Sequence, residues 1–226
     1  MRCIGLLVLL SIGSAAFAQL NIQPEIHALN EVAAGKYKAS ISYPVFKGDT
    51  AVVAFANTTL KARAAKLLAA FKQGAGPRGG NEALTKASIS YYTTQIITGV
   101  MTSYTFTGGA HGNTVSLPYN FAIVGGAPKE LRFSDVFRAG SQSEVSGRVL
   151  KKLSLVDRAT YVGSGQVSAM TPEMLNRFVI TKEGVKFLFD RYELAPYVNG
   201  DFNVTLLFSE IDDVLIPDGP ASLIPR

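Results

Sequence analysis

Hydrophobic positions change period several times along the chain, and each change marks an element. From Tyr37 the period is two: Tyr37, Ala39, Ile41, Tyr43 and Val45 alternate with Lys36, Lys38, Ser40 and Ser42, which predicts a half-buried strand. Gly48 and Asp49 break it, and Asp49 or Thr50 is placed to cap a helix. Val53, Ala56, Leu60, Ala64, Leu67 and Phe71 then recur at three and four residues, one apolar stripe on a helix over 51–73. The glycine-rich run 74–80 closes it.

Residues 86–107, rich in Thr, Tyr, Ile and Val, predict two strands or one long bent strand, with Gly99 at a bend or bulge. After the glycine cluster 107–113, Val115, Leu117, Tyr119, Phe121 and Ile123 alternate again. Pro118 demotes that strand to an edge or bulged position. Ser134 and Asp135 start a short helical turn, 141–155 reads as a helix, and 160–168 reads as loop. Thr171-Pro172-Glu173 is a helix start with proline at the first helical position. Phe178 and Ile180 open a strand, 181–184 is a hairpin turn, and Val185, Phe187 and Phe189 alternate. Phe202, Val204, Leu206 and Phe208 form the last strand, and Ser209 caps a short helix through Leu215. The reading is an α+β, single-domain fold: an antiparallel or mixed sheet with one long helix and two or three shorter ones. Residues 19–34 are expected as a partly ordered lead-in, 35–215 as the domain, and 216–226, with Pro217 and Pro220, as a frayed tail.

The N-terminus sets the compartment. Arg2, the apolar run from Ile4 to Ile12 and Ala16-Phe17-Ala18 follow the order of a signal peptide over 1–18, with cleavage near Ala18. The run is shorter than the roughly 20 residues that a membrane span needs. The single cysteine of the 226 residues, Cys3, lies inside this leader and ahead of its apolar run. The exported chain is then free of thiols, without a membrane anchor, and periplasmic or secreted. The formal net charge of +5 becomes +4 once Arg2 is removed. No run of five like charges occurs, which argues against a nucleic-acid partner. Lys61, Arg63, Lys66 and Lys72 line the polar side of the long helix, as a basic docking face or as a solvated one.

Candidate chemistry is sparse. The two histidines, His27 and His111, form no metal-binding spacing, and no nucleophile elbow or phosphate-binding loop is present. Asp212 and Asp213 are adjacent and diverge on a helix, a poor acid/base pair. The sequence therefore predicts no catalytic residue, metal or cofactor. Two segments stand out as ligand-binding candidates. In the first, Tyr104, Gly108, Gly109, His111 and Asn113 surround a glycine-rich turn. Either the backbone approaches a ligand there and His111 supplies a hydrogen bond or proton carrier, or the glycines form a tight crossover that His111 holds. In the second, Tyr192, Glu193, Pro196 and Tyr197 follow an apolar strand. Their rings either present a binding surface or cover the sheet end.

The runs YTFTGGAHGNT and YNF within 104–121, LRFSDVF at 131–137 and FVITKEGVKFLFDRYELAPYVNGDFNVTLLFSEI at 178–211 resemble the RsiV-like extracellular family of unknown function. That family is known from lysozyme-sensing anti-sigma factors and from the region preceding the catalytic part of PdaC-type peptidoglycan deacetylases. The likeness covers roughly residues 35–215. It implies an extracellular α+β module whose ligand is a lysozyme-type protein or peptidoglycan. The sigma-binding part and the metal-dependent deacetylase domain have no counterpart in these residues, so neither activity carries over. A wall- or glycan-processing enzyme with His111 as general base is the alternative, and it requires a carboxylate within hydrogen-bond reach of His111.

Overall fold

The computed structural model describes residues 22–225; the signal peptide expected over 1–18 lies outside them. A six-stranded sheet runs in chain order from β1 (Gln23–Ala33) through β2 (Tyr37–Lys47), β3 (Asn81–Tyr92), β4 (Ile96–Phe106) and β5 (Asn113–Val124) to β6 (Ala127–Glu130). All neighbours are antiparallel except β2 and β3. Parallel neighbours need a long crossover, and helix α1 (Ala51–Gly74) supplies it. Thr50 caps α1 by accepting from the Val53 amide. At its start Asn57 bonds both the N–H and the C=O of Phe46, each at 2.9 Å, which fixes the helix to the end of β2.

A second, three-stranded antiparallel sheet holds β7 (Phe178–Ile180), β8 (Gly184–Phe189) and β9 (Phe202–Leu207). Around it lie α2 (Phe133–Val136), α3 (Gln142–Leu153), α4 (Thr160–Gly163), α5 (Pro172–Asn176) and α6 (Phe208–Ile211). The α+β class holds, with one long helix. Five shorter helices accompany it among the described residues; the 160–168 segment, expected as loop, opens with α4, a single turn too brief to show a period.

The core has two parts, divided by the large sheet. Ile41, Phe46, Leu60, Phe71, Met101 and Phe121 are buried on the α1 side. Phe137, Val149, Phe178, Phe187, Leu194 and Ile211 are buried on the side of the small sheet. Adjacent strand residues point to opposite faces, so Ile97 enters the first cluster and Ile96 the second, and Phe121 and Ala122 divide likewise. The two sheets meet through buried polar atoms. The Asn120 side chain donates to the Phe178 carbonyl at 2.7 Å and accepts from the Ile180 amide at 2.8 Å. Thr98 donates to the Ile180 carbonyl at 2.7 Å. These bonds replace the ladder contacts that crossing strands do not share.

Three expectations are corrected. Residues 23–33, expected as lead-in, form β1, paired with β2 without a register break; alternating Glu, His and Asn hid its period. The tail is not frayed: Leu215, Ala221 and Ile224 are buried, and a 3-10 turn spans Pro220–Leu223. The Ile216 amide bonds the Val136 carbonyl at 3.0 Å. Helix α6 ends at Ile211, and its start is held by Glu210, which accepts from the Leu207 amide at 2.7 Å, rather than by Ser209. Gly99 is a glycine for a reason of space. The Tyr119 hydroxyl crosses over it to donate to the Ser88 carbonyl at 2.9 Å. A Cβ at Gly99 would lie 2.2 Å from that hydroxyl. The bulge sits opposite, in β3 between Ile89 and Tyr91. Pro118 is at a local edge, since β6 faces β5 only at 121–124, and its carbonyl accepts from Arg63 at 3.2 Å. Among the described residues, no helix is long and apolar enough to cross a membrane.

Candidate functional site

The two segments singled out by sequence meet at one end of the sheets. Strands β4 and β5 are joined by the turn 107–112, whose exposed tip carries Gly108 and Gly109 at φ 102° and 99°. That is backbone glycine adopts freely and other residues rarely do. Gly112 serves a different end: a Cβ there would lie 2.3 Å from the Tyr104 ring. Small residues at the tip and at Gly112 let the strand ends close on each other.

Tyr197 is the hub. Its hydroxyl donates to the Gly112 carbonyl at 2.9 Å. The His111 ring stacks on it with centroids 3.9 Å apart and planes 24° from parallel. The Arg191 guanidinium lies 4.3 Å from the Tyr197 ring centre, a cation–π distance. Tyr192 packs beside it at 5.5 Å and 42° and is itself 56% exposed. Tyr192 sits at φ 70°, left-handed backbone that a bulky side chain occupies only when its surroundings impose it.

Those surroundings are an ion network beneath the turn. Arg177, just after α5, donates to Asp190 at 2.8 Å and to Glu193. Asp190 also accepts from the Ser116 amide of β5 at 2.8 Å, and Glu193 accepts from the Asp190 amide at 2.7 Å. Leu194 and Ala195 are fully buried and anchor the far side. The chain from 190 to 197 is thus pinned at both ends, and Arg191 and Tyr192 are forced outward between the pins. Arg191 Nε also reaches Asp201 at 3.4 Å.

The structure brings Tyr104, His111, Tyr192 and Tyr197 together around Gly112. Glu193, a ligand candidate by sequence, is turned inward as a brace for the loop. Pro196 opens a 3-10 turn, Tyr197–Asn199, and Asn113 is an exposed residue at the start of β5 facing Thr105. Gly108 and Gly109 stand at the tip, free of contact at their Cβ positions. Sequence reasoning missed Arg177, Asp190, Arg191 and Ser116. Arg191 adjoins Tyr192 and was within reach; Arg177 is not, because only the fold carries it to residue 190. His111 Nδ1 lies 3.1 Å from the Gly112 carbonyl oxygen, so its polar partner is backbone, not a carboxylate. Among the described residues no group of three or more His, Cys, Asp or Glu side chains is arranged to hold a metal.

The basic side of α1 is partly committed. Arg63 pairs with Glu130 at 2.5 Å and Lys72 with Glu31 at 2.7 Å, whereas Lys61 and Lys66 are exposed.

Two family models match the chain. One, described as deacetylase PdaC, covers residues 32–114, and the other, a protein of unknown function (DUF3298), covers 134–209. The peptidoglycan-N-acetylmuramic acid deacetylase PdaC of Bacillus subtilis (strain 168) is 24% identical over 192 residues, which is 79% of this chain and 39% of that protein. The chain therefore spans well under half of that relative. A crystal structure of a DUF3298 family protein from Pseudomonas aeruginosa PAO1 superposes with a TM-score of 0.61 at 18% identity, covering 87% of this chain and 95% of that one. A DUF3298 member from Bacteroides fragilis NCTC 9343 gives 0.58 at 15%, covering 87% and 94%. These structures show a shared fold, and the chain fits a PdaC-like, DUF3298 module. The Tyr197 cluster joins the two matched segments: Tyr104 and His111 come from the first, Tyr192 and Tyr197 from the second.

Proposed function

We propose that this chain is an exported, non-catalytic binding module of the bacterial cell envelope, and that it contacts peptidoglycan through the cluster around Tyr197. One observation carries the reading: two distant segments converge on Tyr197, which stacks on His111 and packs beside the outward-facing Tyr192 in left-handed backbone. Exposed aromatic faces suit the C–H faces of sugar rings. A guanidinium suits the carboxylates of muramic acid and wall peptides, which it meets with paired donors. The substrate named for the B. subtilis relative, which matches 79% of this chain, is consistent with such a ligand. Contact rather than turnover is supported by His111, whose hydrogen-bond partner among the described residues is the Gly112 carbonyl and not a carboxylate that would orient it as a base.

A lysozyme-type protein is the other ligand that the family resemblance implies. Such a basic partner favours free acidic groups, and Asp190 and Glu193 are already paired with the part-buried Arg177. Peptidoglycan therefore stands first. The test is cosedimentation of the exported protein with purified sacculi, beside Tyr192→Ala and Arg191→Ala. Wild type is expected in the pellet and both variants largely in the supernatant, with no muropeptides released. Retention on immobilised lysozyme without sedimentation would move the ligand to a protein. Equal pelleting of wild type and variants would remove the cluster from the reading.

A further inference from the structure

Strand β1 is the outer edge of the six-stranded sheet, and among the described residues its far side pairs with no strand. It is long, eleven residues, and its register with β2 runs from Gln23 to Ala33 without a bulge. Such edges are ordinarily blunted by bulges, inward charges or lysines, because unpaired amides and carbonyls recruit another strand. Here the strand carries no lysine, and its one proline, Pro24, sits at the start. Two large apolar side chains on it face solvent: Ile26 is 53% exposed and Val32 69% exposed.

The geometry points to a second copy of this chain as the strand that covers β1, paired antiparallel about a two-fold axis through Leu29. A two-fold axis normal to the sheet can pair only residues of the same face. About Leu29 it places Ile26 opposite the Val32 of the other copy, and Val32 opposite its Ile26, so both exposed apolar residues are covered at once. The same axis places His27 opposite Glu31 on the other face, an imidazole donor against a carboxylate. Glu25 falls opposite Ala33. The neighbouring register, about Ala28, would set Glu25 against Glu31 and leave Ile26 against Asn30, and like charges directly opposed are unfavourable. Charge and apolar complementarity thus choose one register out of those the edge permits. Within one chain Lys47 and His27 already reach Glu25, and Lys72 and Tyr37 reach Glu31, so the His27–Glu31 pairing of the dimer would exchange the His27–Glu25 contact and the register rests chiefly on the apolar pairs. Val32 also rims a shallow hollow with Ala33, Tyr37, Gly80 and Asn81, toward which the partner's Ile26 would extend.

Sedimentation equilibrium of the exported protein over a concentration series tests this. A dimer is expected, and Ile26→Lys/Val32→Lys is expected to weaken it by roughly tenfold or more, since it removes apolar cross-strand pairs twice over. Both positions are exposed, so the double variant should keep its fold and its melting transition. Register is read by cross-linking in a Cys3→Ser background: Leu29→Cys should give a disulfide-linked dimer, and Ala28→Cys should not. A wild-type monomer at every concentration, a dimer indifferent to the two lysines, or cross-linking through position 28 in place of 29 would each overturn the proposal. Leu29 is half-buried against α1; should its cysteine variant be unstable, the lysine variant still decides.

Discussion

The small sheet is fastened to β5 at two places, and the two fastenings use opposite chemistry. In the middle of the large sheet, Asn120 of β5 and its β4 neighbour Thr98 clasp β7 with three buried hydrogen bonds to its backbone. At the start of β5, the Ser116 amide and the Gly112 carbonyl take up Asp190 and Tyr197 from the loop after β8. The first joint is buried, and the Asn120 and Thr98 side-chain polar atoms in it are all hydrogen-bonded. The second is half-exposed, holds Tyr192 at φ 70°, and leaves Arg177 Nε as the one buried side-chain polar atom without a partner among the described residues. Strain and unmet hydrogen bonds are costs that a purely architectural joint can avoid, as the Asn120 clasp does. Their concentration at the aromatic cluster fits the contact role proposed for that joint.

Breaking each joint should separate these roles. The largest effect is expected at the clasp. Asn120→Ala strands the Phe178 carbonyl and the Ile180 amide in the core, which should cost roughly 2–6 kcal/mol at about 1–3 kcal/mol per unsatisfied group. Urea unfolding should show it as a lower midpoint. Arg177→Met leaves Asp190 and Glu193 without their cation but only partly buried, for a loss of about 1–3 kcal/mol. Sacculus binding should fall further than stability does, because the loop that aims Tyr192 and Arg191 is released.

A smaller effect of opposite sign is expected at Tyr192. Tyr192→Gly relieves the left-handed strain and should leave thermal stability unchanged or raise it by up to about 1 kcal/mol, while sedimentation with sacculi is lost. A variant that binds normally would show that the strain serves the fold after all. The smallest effect lies outside both joints. The Arg148 guanidinium holds the Asp213 carboxyl at about 2, below its ordinary 3.8. A lowered folded-state pKa gives stability that is present above 3.8 and is lost as pH falls toward about 2. Asp213→Asn should flatten acid unfolding within that window and leave binding untouched. Its pair with Arg148 is exposed, so the change is expected to be slight.

Period and punctuation along the chain determined a good deal by themselves. The α1 stripe, the alternation of β2, β5, β8 and β9, the proline start of α5 and the α+β class follow from where apolar residues must point, a local property of the backbone. So does the prominence of the 104–113 and 192–197 segments, since clustered glycines and tyrosines are unusual in any context. The β1 strand escaped because an edge strand with few buried side chains has almost no apolar period to read. The tail escaped because prolines that look like fraying also start a packed 3-10 turn.

Tertiary structure alone decided which candidates share a site and what each does. Glu193 faces inward because Arg177 waits there, and Arg177 reaches it only after β7 and β8 pair. His111 meets Tyr197 only because the Asn120 clasp sets the two sheets at a fixed distance. Gly99 is explained by the Tyr119 hydroxyl, from the neighbouring strand. Each of these depends on contacts between residues far apart in sequence, and a one-dimensional pattern holds no record of distance through space.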